Sequence, residues 1–236
     1  MTRKMETSGF AKFMRHICQE NHVNTVCQSC EIIDNAIDNG LTFGLFFFDV
    51  DLDGRLDILG ANGHLEEEIE KTQRTLRYAQ PPQLFWNAGR DAQTELVLLD
   101  EDCTGKSFCD PLVGRGASFG DFDNDGDQDV VISSSDGLAR VFRNDQATNH
   151  RFLRFRLVGD DCNRDAIGAS VTVKTTETVQ TRVVMPTRSY LSQAEFELTF
   201  GLGQQAAVEK VMVQWPGGPS VAVSEFELDR LNVLQQ

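Results

Sequence analysis

The chain has 236 residues, of which 40% are hydrophobic and 25% are charged, and this composition is typical of a folded protein with one or two domains. Its formal net charge is -14, from 36 acidic and 22 basic residues, which disfavours binding to the phosphate backbone of nucleic acids. No stretch approaches the ~20 apolar residues that a membrane-spanning helix needs, and no signal peptide is recognisable at the start. We therefore expect cations as partners, and neither a nucleic acid nor a membrane span.

Residues 1–40 contain no clear repeat and are interpreted as a poorly matched lead-in. Residues 41–147 show one pattern twice: an apolar run, an aspartate-rich loop, a β-rich run and a polar turn with glycine. The two loops read D-V-D-L-D-G-R-L-D from Asp49 and D-F-D-N-D-G-D-Q-D from Asp121. Short strands separated by Gly, Asn and Asp turns predict propeller blades. A closed propeller needs ~4–8 blades, and only about two fit here, so we expect the chain to be the end of a longer polypeptide.

The similarity between the repeats extends to L-F-W-N, which ends at Asn87, and to V-F-R-N, which ends at Asn144. The first repeat is longer because of one segment, His64 to Gln80. Apolar residues recur in this segment near helical spacing, and two prolines follow it. The pattern predicts a helix inserted into the first repeat.

The loops have the composition of calcium sites, because Ca²⁺ prefers six to eight oxygen ligands from carboxylates, carbonyls and water. Aspartates at alternating positions of a tight loop point inward together, and the glycine at position six allows the turn. The predicted ligands are the carboxylates of four aspartates and one backbone carbonyl in each loop. They are Asp49, Asp51, Asp53, Asp57 and the carbonyl of Arg55 in the first loop, and Asp121, Asp123, Asp125, Asp129 and the carbonyl of Asp127 in the second.

These loops differ from EF-hands, which need a glutamate at position twelve and flanking helices. Position twelve is Gly60 in one loop and Ile132 in the other. We therefore expect the aspartate at position nine to close each loop between two strands. The alternative is a pair of solvated acidic hairpins, but two loops in register within a repeat argue against it.

Residues 148–236 contain a series of alternating strands. In E-F-E-L-T-F, for example, Phe196, Leu198 and Phe200 share one face, which predicts a half-buried strand. The predicted fold is therefore all-β: a partial propeller, followed by a small antiparallel β-sandwich or barrel. Cys103 and Cys109 bracket a short loop, and they are interpreted either as a disulfide or as two free thiols.

The aspartate loops, and F-G-D-F-D-N-D-G-D-Q-D above all, resemble the FG-GAP/VCBS repeats of integrin α-chain propellers and of many secreted bacterial proteins. The carboxyl-terminal part resembles the ASPIC/UnbV domain. The motifs that carry this second resemblance are N-R-D-A-I-G-A from Asn163, S-Y-L-S-Q from Ser189, F-G-L-G from Phe200 and W-P-G-G from Trp215. Repeats followed by that domain are the arrangement of the cartilage acidic protein family.

The resemblance implies a secreted, cell-surface or periplasmic protein that is stabilised by two Ca²⁺ ions and is not an enzyme. It implies a role in adhesion or in binding an extracellular protein or polysaccharide. Ser118 lies in a G-x-S-x-G pattern, but the hydrolase elbow needs a strand that leads into a helix, and here an acidic loop follows. Two alternatives remain: an accessory or catalytic part of a carbohydrate-active enzyme, which a pair of carboxylates outside the loops would favour, and a purely structural assembly module.

Overall fold

The structure is a computed structural model and describes residues 40–89, 95–145, 148–204 and 207–236. The predicted lead-in, residues 1–40, therefore lies outside the described residues except for Gly40. The described chain is all-β, with four sheets and three helices of one turn each.

The first sheet has four antiparallel strands in the order in which they occur in the chain. They are β1 (Thr42–Phe48), β2 (Asp57–Asn62), β3 (Gln83–Asn87) and β4 (Leu96–Leu98). The second sheet has three antiparallel strands, also in chain order. They are β5 (Gly114–Gly120), β6 (Asp129–Ser134) and β7 (Arg140–Phe142). Each aspartate loop joins the first two strands of its sheet, so the two loops occupy equivalent positions.

The two sheets share one hydrophobic core, because their first strands present aromatic side chains to each other. Phe46 and Phe48 of β1 pack against Phe119 of β5, with ring centroids 5.0 Å apart for Phe46 and 6.0 Å for Phe48. Leu59 and Ile132, from β2 and β6, are fully buried in the same cluster. This packing places the two aspartate loops side by side at one end of the sheets.

The predicted inserted helix is present but covers only one turn of the segment from His64 to Gln80. Only α1 (Ile69–Thr72) is helical, and Ile69 is its one buried residue. The segment instead folds back on itself, since the His64 N–H donates to the Tyr78 carbonyl over 2.8 Å. Leu65 is 69% exposed, so the segment lacks the buried apolar stripe that would stabilise a longer helix.

Residues 148–236 are called the carboxyl-terminal domain below, and their described part contains seven strands in two sheets. The strands are β8 (Arg151–Val158), β9 (Ser170–Thr175), β10 (Val179–Val183), β11 (Leu198–Gly203), β12 (Val208–Gln214), β13 (Ser220–Val223) and β14 (Leu231–Gln235). One sheet has the order β10-β9-β12-β13 and the other has the order β11-β8-β14. Side chains from both sheets form one core. It includes Val171 and Val213 from the first of these sheets and, from the second, Phe155 and Phe200, whose ring centroids are 6.1 Å apart.

Two details of this domain differ from the sequence prediction. The sheets are not wholly antiparallel, because β14 pairs with β8 in parallel. The chain leaves β13 in one sheet and crosses to the other before it forms β14, and a crossover allows a parallel neighbour where a hairpin does not. β11 is also not half-buried as predicted: Thr199, on the face opposite Leu198 and Phe200, is only 5% exposed, because this face of β11 is covered by the first repeat.

Two short helices connect the repeats, α2 (Glu101–Thr104) and α3 (Lys106–Cys109). Cys103 and Cys109 lie in them and are both free thiols, so the disulfide alternative is not realised. The Sγ of Cys109 instead lies 3.4 Å from Thr104 Oγ1. Within the described part of the chain, no helix is long and apolar enough to cross a membrane.

Candidate metal centres

The structure brings three aspartates of each loop together. In the first loop, one carboxylate oxygen from each of Asp49, Asp51 and Asp57 lies within 4.8 Å of the other two. In the second loop, the same holds for Asp121, Asp123 and Asp129. These are positions one, three and nine of both nine-residue loops. We call these groups the first and second triads.

Backbone N–H groups of the first loop donate to all three of its carboxylates, with the longest bond, 3.4 Å, from Asp53 N–H to Asp51. Asp49 accepts from Asp53 N–H over 3.0 Å and from Gly54 N–H over 2.9 Å, one on each oxygen. Gly54 has a φ of +92°, a backbone conformation that glycine adopts without strain. Asp57 accepts from Val50 N–H over 2.8 Å and thereby ties the end of the loop to its start.

The second loop repeats this arrangement. Asp129 accepts from Phe122 N–H over 2.9 Å, and Asp121 accepts from the N–H of Gly126 over 3.2 Å. Gly126 has a φ of +101°. The position-nine aspartates also bind the asparagines that mark the end of each repeat, since Asn87 N–H donates to Asp57 over 2.7 Å, and the equivalent bond to Asp129 is 2.8 Å. Asn87 and Asn144, which the sequence matched between the two repeats, therefore make equivalent hydrogen bonds in the structure.

The position-three aspartates have different neighbours in the two loops. The indole N–H of Trp86 donates to Asp51 over 2.9 Å. At the equivalent place in the second repeat stands Arg143, which is exposed and lies 3.8 Å from a carboxylate oxygen of Asp123. The first triad therefore has a neutral aromatic donor beside it, and the second has a cation.

The position-five aspartates lie outside both triads. Asp53 forms an ion pair with Arg55 and accepts its N–H over 2.8 Å. Asp125 accepts the N–H of Asp127 over 3.0 Å. Direct ligation by Asp53 and Asp125, and by the carbonyls of Arg55 and Asp127, stays a prediction.

Burial makes the ionised form of these carboxyl groups costly. It raises the pKa of Asp49 to about 7, against the opposing effect of the Arg182 charge. Burial likewise raises the pKa of Asp57 to about 8, although two backbone N–H groups oppose the rise. The pKa of Asp125 is also raised, first by partial burial. A bound divalent cation would offset this cost, because it favours the charged form of every carboxylate around it.

The donor set fits a hard cation. All triad ligands are carboxylate oxygens, and the described residues place no histidine or cysteine in either triad. Asp121 Oδ1 has no hydrogen-bond partner among the described residues, although its side chain is only 2% exposed. A buried carboxylate oxygen without a donor is costly, and a metal ion would satisfy it.

Comparison with known proteins supports the prediction for the carboxyl-terminal domain. Residues 159–236 match the family described as ASPIC and UnbV. The chain is 33% identical to the Homo sapiens protein named cartilage acidic protein 1 over 113 residues, which are 46% of this chain and 17% of that protein. It is 31% identical to the Mus musculus protein of the same name over 126 residues, which are 52% of this chain and 19% of that protein. The chain therefore spans less than a fifth of these relatives, and the FG-GAP/VCBS repeats stay a prediction.

The carboxyl-terminal domain packs directly on both aspartate loops. On the first loop, Gly201 of β11 is so close that a Cβ there would lie 2.3 Å from Asp49 Oδ2. On the second loop, Phe152 of β8 covers Gly126, where a Cβ would lie 2.1 Å from its ring. Gly201 and Phe152 are cross-strand partners, so one pair of adjacent strands covers both loops.

Polar contacts accompany this packing. The His150 ring donates to the Asp51 carbonyl over 2.5 Å, and Gly203 N–H donates to the Leu52 carbonyl over 2.8 Å. On the second loop, Arg154 of β8 forms ion pairs with Asp121 and with Glu195.

Sequence reasoning did not find Arg154 or Glu195 as neighbours of the loops. One signal was present, because Phe152 and Arg154 alternate with Leu153 and Phe155 along R-F-L-R-F-R. A large apolar residue on both faces of a strand indicates that both faces are covered. The sequence does not say by what, since the covering loops are distant in the chain.

Proposed function

We propose that this chain is a non-catalytic module that binds two Ca²⁺ ions, one at each triad, as structural ions of the repeats. The observation that carries the proposal is the pair of triads, which are made of oxygen donors, have buried aspartates at positions one and nine, and form at equivalent positions of two repeats. A chance acidic surface cluster would not recur in register with the same backbone contacts. Calcium is favoured over Mg²⁺ because the loops supply many carboxylates in an irregular arrangement, whereas Mg²⁺ demands near-octahedral geometry and keeps its water.

We further propose that the two sheets of residues 41–147 are blades of a partial propeller and that the chain acts outside the cell, in a matrix or adhesion role. The match of residues 159–236 to the ASPIC and UnbV family and the similarity to proteins named for cartilage support this role. The binding partner would be an extracellular protein or polysaccharide. Ligand choice by such modules depends on loop tips, whose residues follow no period.

The enzyme alternative has one observation in its favour, a second pair of carboxylates. Glu195 and Glu197 both line a cavity between the repeats and the carboxyl-terminal domain. The cavity has a volume of about 40 Å³, however, whereas ligand pockets are ~300–1,000 Å³. Both glutamates also face arginines, Arg154 for Glu195 and Arg156 for Glu197. These features support a structural role for the pair and a non-catalytic module.

Trp86 makes the first site directly observable. Because its indole nitrogen lies 2.9 Å from Asp51, light absorbed by Trp86 should sensitise the luminescence of a Tb³⁺ ion bound at the first triad. The other tryptophan, Trp215, is buried in the core of the carboxyl-terminal domain. We expect Ca²⁺ to displace Tb³⁺ and to abolish the sensitised emission.

Calorimetry should resolve two sites in the wild-type chain and one site in each of Asp51→Asn and Asp123→Asn. Only the first variant should lose the sensitised Tb³⁺ signal. Glu209→Gln is a matched control, since Glu209 pairs with Lys174 on the surface of the carboxyl-terminal domain. The proposal fails if chelator leaves the melting temperature unchanged and Ca²⁺ gives no binding heat.

A further inference from the structure

Arg154 is a buried arginine that joins the carboxyl-terminal domain to the second aspartate loop. Its side chain is 7% exposed, and its guanidinium group forms one ion pair with Asp121 and another with Glu195. Asp121 is position one of the second triad. A positive charge from one domain is therefore in contact with a predicted metal ligand of the other.

The surrounding hydrogen bonds keep this cluster in place. Glu195, which is 11% exposed, also accepts the N–H of Asp121 over 3.2 Å and the side-chain amide of Gln128 over 3.4 Å. The oxygen of the same Gln128 amide accepts the N–H of Asp49 over 3.4 Å. Glu195 is thus a second, well-held partner that keeps Arg154 at this place even when Asp121 binds something else.

The first loop has no direct ion pair of this kind among the described residues, although the charge of Arg182 of β10 also acts on Asp49. Asp49 is bound through both oxygens by N–H groups of its own loop, and among the described residues it forms no ion pair. The corresponding Asp121 uses Oδ2 for the Gly126 N–H and for Arg154, while Oδ1 has no hydrogen-bond partner among the described residues. The two triads therefore differ at position one in how the carboxylate charge is neutralised.

We propose that Arg154 is a built-in counter-cation of the second loop, which competes with the metal ion and sets the affinity of that site. This inference rests on the proposed function, since it assumes that the second triad binds Ca²⁺. Without metal, Arg154 neutralises the buried Asp121 and stabilises the contact between the domains. When Ca²⁺ binds through Asp121, two cations share one carboxylate, and the guanidinium charge then depends on Glu195 alone.

The competition follows from the electrostatics of a buried site. Like charges that share a ligand repel strongly where little water screens them. Removing the arginine leaves Asp121 and Glu195 buried without a counter-charge, which destabilises the metal-free protein. The same removal makes the metal-bound state relatively more favourable, because the cation then supplies the missing charge. By linkage, metal binding at this site must loosen the ion pair that holds the carboxyl-terminal domain there.

The test is calorimetric Ca²⁺ binding to the full chain in an Asp51→Asn background, so that the second site is read alone. We expect Arg154→Gln to bind Ca²⁺ about tenfold more tightly or better. The metal-free variant should melt at a lower temperature than its parent, and saturating Ca²⁺ should raise its melting temperature by more.

Arg156→Gln is the matched control. Arg156 lies two residues further along β8 and also forms two ion pairs, with Asp165 and Glu197, but these partners are outside both aspartate loops. We expect its Ca²⁺ affinity to stay within about twofold of the parent, since the lost charge does not contact the triad. An equal tightening in both variants would overturn the proposal, because any lost positive charge would then suffice.

Glu195→Gln should change the Ca²⁺ affinity in the opposite direction. This variant also replaces Arg154→Gln as the test if Arg154→Gln does not fold. With Glu195 neutral, Arg154 has only Asp121 as an anionic partner, so Ca²⁺ should bind more weakly. An affinity that is unchanged or higher overturns the proposal, as does an Arg154→Gln variant that binds Ca²⁺ equally or less tightly. Absence of any Ca²⁺ binding heat in the wild-type chain would instead refute the proposed function itself.

Discussion

The close approach of Gly201 to the first aspartate loop leads to a prediction about how the domains are joined. An alanine Cβ at this position would lie 2.3 Å from Asp49 Oδ2 and 2.3 Å from the carbonyl carbon of Leu52. Ordinary van der Waals contact begins at about 3.4 Å, so β11 or the loop must move by about 1 Å. One of the two atoms belongs to the backbone, and a rotamer change therefore cannot relieve the clash. Gly201→Ala should destabilise the chain by about 3 kcal/mol, the upper part of the usual range for overpacking.

Thermal unfolding measures this effect, and the expected decrease in melting temperature is about 6–12 °C. Gly60→Ala is the control, since Gly60 is also a buried strand glycine but its added Cβ would meet Thr42 Cγ2 at an ordinary 3.4 Å. The control should change the free energy of unfolding by no more than about 0.5 kcal/mol. Equal stability of Gly201→Ala and the wild-type chain would refute the packing of the carboxyl-terminal domain on the first loop.

Three further predictions concern the loops and the cores. The native pKa values of Asp49 (about 7) and Asp57 (about 8) lie above the unfolded value of 3.8, so the native state retains protons that the unfolded state loses. Chelated protein should therefore melt at a lower temperature at pH 8 than at pH 5, and a rise would contradict the burial of these carboxyl groups. Trp86→Phe removes the indole N–H from Asp51 and should abolish sensitised Tb³⁺ emission while calorimetry still resolves two Ca²⁺ sites. Phe155→Ala should cost about 3–5 kcal/mol in urea unfolding, because Phe155 is fully buried in the core of its domain; a cost near zero would exclude that core.

The arrangement of the two domains gives the aspartate loops a second role. They close hairpins within the repeats, and they also form the surface on which β8 and β11 of the carboxyl-terminal domain lie. Occupancy of the triads and docking of this domain are therefore expected to depend on each other. The close approach of β11 to the first loop leaves no room for a Cβ at Gly201, and the buried carboxylates Asp121 and Glu195 are paired with Arg154.

The sequence by itself determined the features that depend on near neighbours. The alternation of Phe, Val and Leu predicted strands, and the spacing of aspartates around Gly54 and Gly126 predicted two tight loops with convergent carboxylates. The match between Asn87 and Asn144 predicted the repeat. Such features are encoded locally, because side-chain direction along a strand and the φ that a turn requires depend on a few consecutive residues.

Only the tertiary structure decided what covers these loops. Arg154 and Glu195 lie 33 and 74 residues after Asp121 in the sequence, and no local pattern specifies their contact with it. The parallel pairing of β14 with β8 has the same origin. In each case the deciding free energy comes from burial against a distant segment, and residue spacing carries no information about which segment that will be.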